Sequence, residues 1–313
     1  MDKIYDLIIL GGGPASMSAG VYAKQMRLNS MLIEKGEFGG QVATTSSVEN
    51  YLGFENISGQ DLSDRMHKHL KSTGIEIKLE EITKSELVGD IKTIYTHNSQ
   101  YKSKSVIIGI GTAARKLGVD NEQKYINHGL SYSSLRDRDK FADKTIAVVG
   151  GGNSAIEDTI YLSEKCKKVY LIHRRNEFRA DAQLVDTLYK KIENENKIEL
   201  VLECKPESLV GETQIEGFNV TFIPDGSIRK LQVDGVFVAI GRGADTDIID
   251  EEIARDSSGY IITDEKMQTN IPGVYAIGDI RTTPLRQIVT AVADGAIATL
   301  SAHNYIKAKE KKI

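Results

Sequence analysis

Ile4 to Leu10 is a nearly unbroken apolar run, the pattern of a strand buried on both faces of a parallel sheet. It leads into Gly11-Gly12-Gly13-Pro14-Ala15-Ser16, then into a stretch whose Met17, Gly20, Val21 and Leu28 fall on compatible faces of a helix. A second short strand, Ser30 to Ile33, ends at Glu34. The same grammar returns at Thr145 to Val149. There the strand is followed by Gly150-Gly151-Gly152-Asn153-Ser154-Ala155, a helix reaching Ser163, the strand Lys168 to Ile172, and then His173. Gly11 to Glu34 and Gly150 to His173 each span 23 positions. The predicted fold class is therefore α/β, with two Rossmann-type dinucleotide-binding domains that arose by duplication.

Between the two units the pattern predicts a helix over Gln60 to Thr73 and strands at Glu76 to Glu80, Ile91 to Tyr95 and Ser105 to Ile110. After the second unit it predicts strands at Ile198 to Glu203, Phe218 to Ile223 and Val233 to Ile240, with a turn at Pro224-Asp225-Gly226. A final helix is expected near Arg286 to Ala308. Its tail, Lys307-Ala308-Lys309-Glu310-Lys311-Lys312, reads as a solvated, frayed end. His67 and His69, in Asp64-Arg65-Met66-His67-Lys68-His69, read as surface residues.

Composition narrows the function. A length of 313 residues allows about two domains with their own cores. A net charge of −4 offers no footprint for nucleic acid. No apolar run is long enough to span a membrane, and the opening MDKIYDLIIL has no signal-peptide pattern. The two cysteines, Cys166 and Cys204, have no metal-ligand spacing around them, so no metal site and no disulfide scaffold is expected. A reducing cytoplasm is the default location, and both thiols read as structural.

The chemistry lies in the glycine turns. Gly11 supplies the tight bend, and Gly13 lets backbone approach a pyrophosphate at the N-terminus of the helix begun by Pro14 and Ala15. Ser16 stands where the third small residue is usually Gly or Ala. Glu34 is placed to accept hydrogen bonds from adenosine ribose hydroxyls. In the second turn Gly150, Gly152 and Ala155 fill the same places, but the acid gives way to His173-Arg174-Arg175, followed by Arg179. Guanidinium forks match phosphate oxygens, so this cluster favours the 2′-phosphate of NADPH.

The chain resembles the low-molecular-weight thioredoxin reductase family almost end to end. The resemblance rests on Phe38-Gly39-Gly40-Gln41 with Thr44, Thr45 and Val48 to Tyr51, on Ile107 to Arg115, and on the segments Gly150 to Ala155 and His173 to Ala180. It continues through Phe237 to Arg242, Ile271 to Asp279 and Arg286 to Ala291. It implies FAD and NADPH as cofactors and a homodimer. FAD would be bound by residues 1–114 and 245–313, and NADPH by an inserted domain, 115–244. It further implies that Asp279 bonds the flavin ribityl chain and that Arg286, Gln287 and Ile288 place a helix N-terminus beside the flavin ring. Lys35, Gly39, Gly40, Gln41, Thr45, Asn50 and Gly111 would complete the FAD site. Asn153, Ser154, Gly241 and Arg242 would complete the NADPH site. Gly111 matches the glycine of the family's Ala-Thr-Gly stretch, but Gly109 and Ile110 precede it here.

One family feature is missing. Where such reductases carry Cys-x-x-Cys after a Gly-Val-Ser-Tyr-like run, this chain reads Gly129-Leu130-Ser131-Tyr132-Ser133-Ser134-Leu135-Arg136-Asp137. Ser133 and Arg136 occupy the thiol positions, and neither can form a disulfide. Asp137, left without a thiolate to serve, reads as a turn residue. The bacilliredoxin-reductase type of relative has a cysteine after its first Gly-Gly-Gly-Pro, and this chain has Ala15 there. Arg138 to Lys144 resembles a segment of the dithiol-free ferredoxin–NADP reductases of this fold, although no aromatic residue follows Tyr305. The expected activity is electron transfer from NADPH through FAD to an external acceptor: a ferredoxin or flavodoxin, free flavin, a quinone or a small disulfide. The alternatives are a thioredoxin or disulfide reductase using an unrecognised thiol, and a non-enzymatic flavin or NADP sensor or scaffold.

Overall fold

The computed structural model describes residues 3–45, 47–244, 246 and 248–311. From the first apolar run the chain forms β1 (Ile4–Leu10), α1 (Pro14–Gln25), β2 (Ser30–Glu34), α2 (Gly59–Ser72), β3 (Glu76–Leu79), β4 (Ile82–Glu86), β5 (Lys92–Thr96) and β6 (Gln100–Ile108). There follow β7 (Thr112–Ala114), α3 (Glu122–Tyr125), β8 (Leu130–Ser131), α4 (Ser134–Asp137), β9 (Thr145–Val149), α5 (Asn153–Ser163), β10 (Lys168–Ile172), α6 (Ala182–Glu195) and β11 (Ile198–Val201). The remainder is β12 (Cys204–Val210), β13 (Gly217–Phe222), β14 (Ile228–Leu231), β15 (Gly235–Val238), β16 (Arg242–Ala244), β17 (Val274–Ala276) and α7 (Ile288–Glu310). The chain divides into two compact units, Met1–Ala113 with Gly243–Ile313, and Ala114–Arg242. The expected boundary at 245 falls on Asp245, outside the described residues.

In the first unit the strands run in the order β3-β2-β1-β6-β5-β4, and β17 also pairs with β6. β6 changes character along its length. Its polar first half pairs antiparallel with β5, Lys92 opposite Ser103, while its apolar end pairs parallel with β1 and β17, Ile107 opposite Ile9 and Tyr275. The apolar residues of β1 alternate between two cores: Leu7 and Ile9 face α1 and α7, and Ile8 and Leu10 face Ile94, Ile253 and Ile261. α7 lies close along α1, where a Cβ on Gly295 would overlap the Ala15 carbonyl, and Thr299 donates to Ala19 O at 3.2 Å.

The second unit has the parallel order β11-β10-β9-β15-β8, with a separate antiparallel sheet β12-β13-β14. Both glycine turns sit at the carboxyl ends of their first strands, the place where such sheets bind ligands.

Several expectations shift. The strand expected at 105–110 begins at Gln100 and stops at Ile108. The strand expected over 233–240 is confined to Gly235–Val238. The last helix starts at Ile288, with Gln287 as its N-cap in a reciprocal capping box with Thr290. Its end is tied down: Lys309 pairs with Asp90 at 2.6 Å, and Glu310 with Lys104 at 2.9 Å. Lys312, part of the expected frayed tail, lies outside the described residues.

Candidate cofactor sites and the position of the lost dithiol

The first glycine turn is shaped by close backbone approaches. Gly11 adopts φ +97°, a left-handed conformation that disfavours any other residue. The N-cap of α1 is Gly13, no side chain caps this helix, and Gly13 faces open space. These features leave an anion-binding helix terminus with room for a pyrophosphate. Gly39 donates its N–H to Gly12 O at 2.9 Å, which draws Phe38-Gly39-Gly40 against the turn. Glu34 ends β2 with its carboxylate beside Gly12, and Oε1 accepts the Gly36 N–H at 3.0 Å.

The turn Gly278–Ile280 is wedged between two helix starts. A Cβ on Gly278 would lie 3.1 Å from Ala15 Cβ in α1 and 3.7 Å from Ala291 Cβ in α7. This brings Asp279 to both N-terminal dipoles. Gln41 Nε2 donates to Asp279 Oδ2 at 3.1 Å and to Thr112 Oγ1 at 3.0 Å, and Asn50 Nδ2 donates to Gln287 Oε1 at 3.1 Å. Thr45 donates to Gln41 O at 3.2 Å, the Arg286 guanidinium lies 4.1 Å from the Tyr260 ring centre, and Gly111 borders open space. The expected residues Gly11, Gly13, Pro14, Ala15, Gln41 and Asp279 thus converge around two helix starts. Lys35, Thr45, Asn50, Arg286 and Gln287 form an exposed rim.

Sequence reasoning missed the supports beneath this site. Asp294, buried in α7, accepts the Gly278 N–H at 3.0 Å and pairs with Arg281 at 3.3 Å. Burial raises its pKa, with Arg281 opposing. A lone acid within the apolar run Ile288 to Leu300 was the available signal. His67 is no simple surface residue. Its ring stacks on Phe38 at 3.8 Å, Nε2 is buried without a partner, and burial lowers its pKa.

In the second unit Gly152 is the N-cap of α5, again with no side-chain cap, and it faces open space. Asn153 is engaged with Asp181, donating to it at 2.7 Å and accepting the Asp181 N–H at 2.9 Å. His173 differs from the arginines it was grouped with. It is buried under the turn, where a Cβ on Gly151 would overlap its ring, and its Nε2 lies 3.1 Å from Glu177 O. Burial lowers its pKa against the hydrogen bond to Glu177 O, which raises it, and the nearby Arg175, Arg174 and Arg179 lower it further. Arg174, Arg175 and Arg179 are exposed. The Gly241 carbonyl accepts the Arg115 N–H at 3.0 Å, and Arg115 Nε donates to Arg242 O at 3.3 Å.

A chain with this fold and two such turns has many relatives. The pyridine nucleotide-disulphide oxidoreductase family matches residues 5–295. The thioredoxin reductase of Listeria monocytogenes is 38% identical over 307 residues, covering 98% of this chain and 95% of that protein. The chain belongs to the thioredoxin reductase family. Among solved structures, the thioredoxin reductase of Lactococcus lactis superposes with a TM-score of 0.84 at 35% identity, covering 96% of this chain and 99% of that one. A ferredoxin-flavin thioredoxin reductase of Clostridium acetobutylicum superposes at 0.55 with 26% identity, covering 98% of this chain and 100% of that one. This family comprises FAD-dependent NAD(P)H oxidoreductases. Among the described residues no helix is long and apolar enough to cross a membrane.

Within the thioredoxin reductase family this chain departs at the dithiol. Ser133 is the N-cap of α4, its Oγ accepting the Arg136 N–H at 3.4 Å. Asp137 is no loose turn residue: it is buried. It accepts hydrogen bonds from Arg136 Nη2 at 2.8 Å, from Lys140 Nζ at 2.7 Å and from Ser131 Oγ at 2.7 Å. Burial acts to raise its pKa, but these donors hold it well below the usual carboxylate range. Ser134 donates to Asp158 in the middle of α5. Cys166 and Cys204 are both buried free thiols. Burial pushes Cys166 up to about 11 and raises Cys204, which leaves neither as a ready thiolate.

Proposed function

We propose that this protein passes electrons from NADPH, by way of FAD, to an external acceptor, with no protein dithiol in between. The observation that carries this reading is the replacement of both thiol positions by Ser133 and Arg136, fixed by Asp137, while both glycine turns keep open, uncapped helix starts. FAD, when bound, would supply a two-electron relay between nicotinamide and acceptor. Gly11, Gly13 and the first turn of α1 would bind its pyrophosphate, Glu34 its ribose, and Asp279 with Gln41 its ribityl hydroxyls. The N-terminus of α7, capped by Gln287, would favour negative charge beside the ring. Gly150, Gly152 and the first turn of α5 would bind the NADPH pyrophosphate, with Arg174, Arg175 and Arg179 on its 2′-phosphate. Residues 1–114 with 245–313 would form the FAD domain and 115–244 the NADPH domain. Dimers are common in the family, which supports a homodimer here, and the two free thiols fit a reducing cytoplasm. The test is anaerobic mixing with NADPH. The flavin band bleaches rapidly and recovers when a quinone or a ferredoxin is added. A flavin that NADPH does not reduce within seconds contradicts the proposal.

A further inference from the structure

The surface around Ser133 and Arg136 carries a charge pattern that the dinucleotide sites do not use. Two segments, 136–144 and 164–167, run side by side in the second unit. Asp143 donates its N–H to Lys165 O at 3.0 Å, and Lys167 donates to Lys144 O at 2.9 Å. Ion pairs join Arg138 to Glu164 at 2.9 Å and Lys165 to Asp139 at 2.5 Å. Asp139 is paired with Lys165 and Glu164 with Arg138, while Lys144 and Lys167 are exposed and Arg136 and Lys140 share the single carboxylate of Asp137, so six cations face four carboxylates across the two segments. The patch is cationic on a chain whose net charge is −4.

Two of these cations are held in place from below. The Asp137 side chain is 5% exposed and binds Arg136 and Lys140, which remain 59% and 66% exposed. A surface cation ordinarily loses rotamer freedom when a partner docks, and here part of that loss has already occurred in folding. Leu135, on the same short helix, is a partly exposed apolar residue beside them. The cations spread along the two segments and do not converge on one point, which suits an extended acidic surface better than a small anion. The chain's net charge of −4 offers no wider basic surface along which a phosphate backbone could run.

We infer that this face docks a small acidic iron–sulfur carrier protein of the ferredoxin kind. The inference rests on the proposed function and names its partner. Each nicotinamide would serve two carriers, one electron each, with NADP⁺ and one proton released.

The test is calorimetric titration of the FAD-loaded protein with an oxidised ferredoxin. Binding is expected at low salt and is lost at high salt. In Lys144→Glu/Lys167→Glu, at two exposed cations of the patch that hold no buried carboxylate, it weakens by about tenfold or more, while Lys205→Glu, an exposed charge elsewhere in the unit, changes it little. Absence of ferredoxin binding, equal weakening by both variants, or displacement of ferredoxin by single-stranded RNA would overturn the inference. NADPH-dependent reduction of menadione, a neutral quinone, is followed in parallel and should be unchanged in the double variant. Failure of the unaltered protein in that assay counts against the proposed function and leaves the binding result standing.

Discussion

The most local prediction concerns two departures from the family pattern that turn out to face each other. Ser16 replaces the usual Gly or Ala of the first glycine turn, and Gly109 opens the stretch that ends at Gly111. Ser16 is fully buried, and its Oγ lies 3.2 Å from both Leu10 O and Gly109 O. A Cβ on Gly109 would overlap Ser16 Oγ outright and come within 3.1 and 3.2 Å of Ile277 Cγ1 and Cδ1. Gly109 has no left-handed φ, so Gly109→Ala is a steric change only. It should destabilise the first unit by about 1–3 kcal/mol through overpacking. Ser16→Ala should cost about 1 kcal/mol for the lost hydrogen bond. In the double variant the overlapping oxygen is gone and only the Ile277 contacts remain. The two changes should therefore couple favourably by about 1–2 kcal/mol. The chain has no Trp, so urea unfolding is best followed by release of flavin fluorescence at fixed FAD, a signal that reports on the first unit alone. Additivity within about 0.5 kcal/mol would refute the steric pairing.

Other outcomes follow from the same geometry. Arg174→Ala/Arg175→Ala should raise the KM for NADPH by about tenfold to a hundredfold and leave that for NADH nearly unchanged, because charge-assisted bonds to a 2′-phosphate are worth about 1.5–3 kcal/mol. Equal loss with both nucleotides would place the arginines elsewhere. Cys166→Ala and Cys204→Ala should leave turnover intact, and iodoacetamide at mild pH should label neither thiol before unfolding. Asp137 has its pKa depressed below the ordinary 3.8, so its stabilising contribution is present above about pH 4 and is lost as the pH falls below that value. Asp137→Asn should therefore destabilise the second unit at neutral pH, with the difference from the unaltered protein shrinking below about pH 4. A gap independent of pH would exclude this origin.

Much of the site was legible in the sequence because apolar runs and glycines constrain the backbone directly. The run Ile4 to Leu10, the turn after it and the acid at Glu34 lie where the pattern put them. What escaped depends on which side chains meet. Ser16 and Gly109 each looked like a small deviation, and only the folded chain shows that they share one volume. α6, Ala182–Glu195, was not anticipated although Leu184, Val185, Leu188 and Ile192 recur at helical spacing and pack on the core; the charged and polar residues between them obscured that stripe. Asp137 and His67 were misjudged because burial does not follow from residue type. One is ordered by the donors around it, and the other by the Phe38 ring.

The central claim is that electrons leave without passing through a protein dithiol, and counting them tests it most directly. An anaerobic dithionite titration of the FAD-loaded protein should reach full reduction at about one two-electron equivalent per flavin, since no disulfide is present to take a second pair. A requirement for about two equivalents per flavin, or rapid reoxidation by oxidised thioredoxin, would contradict the account.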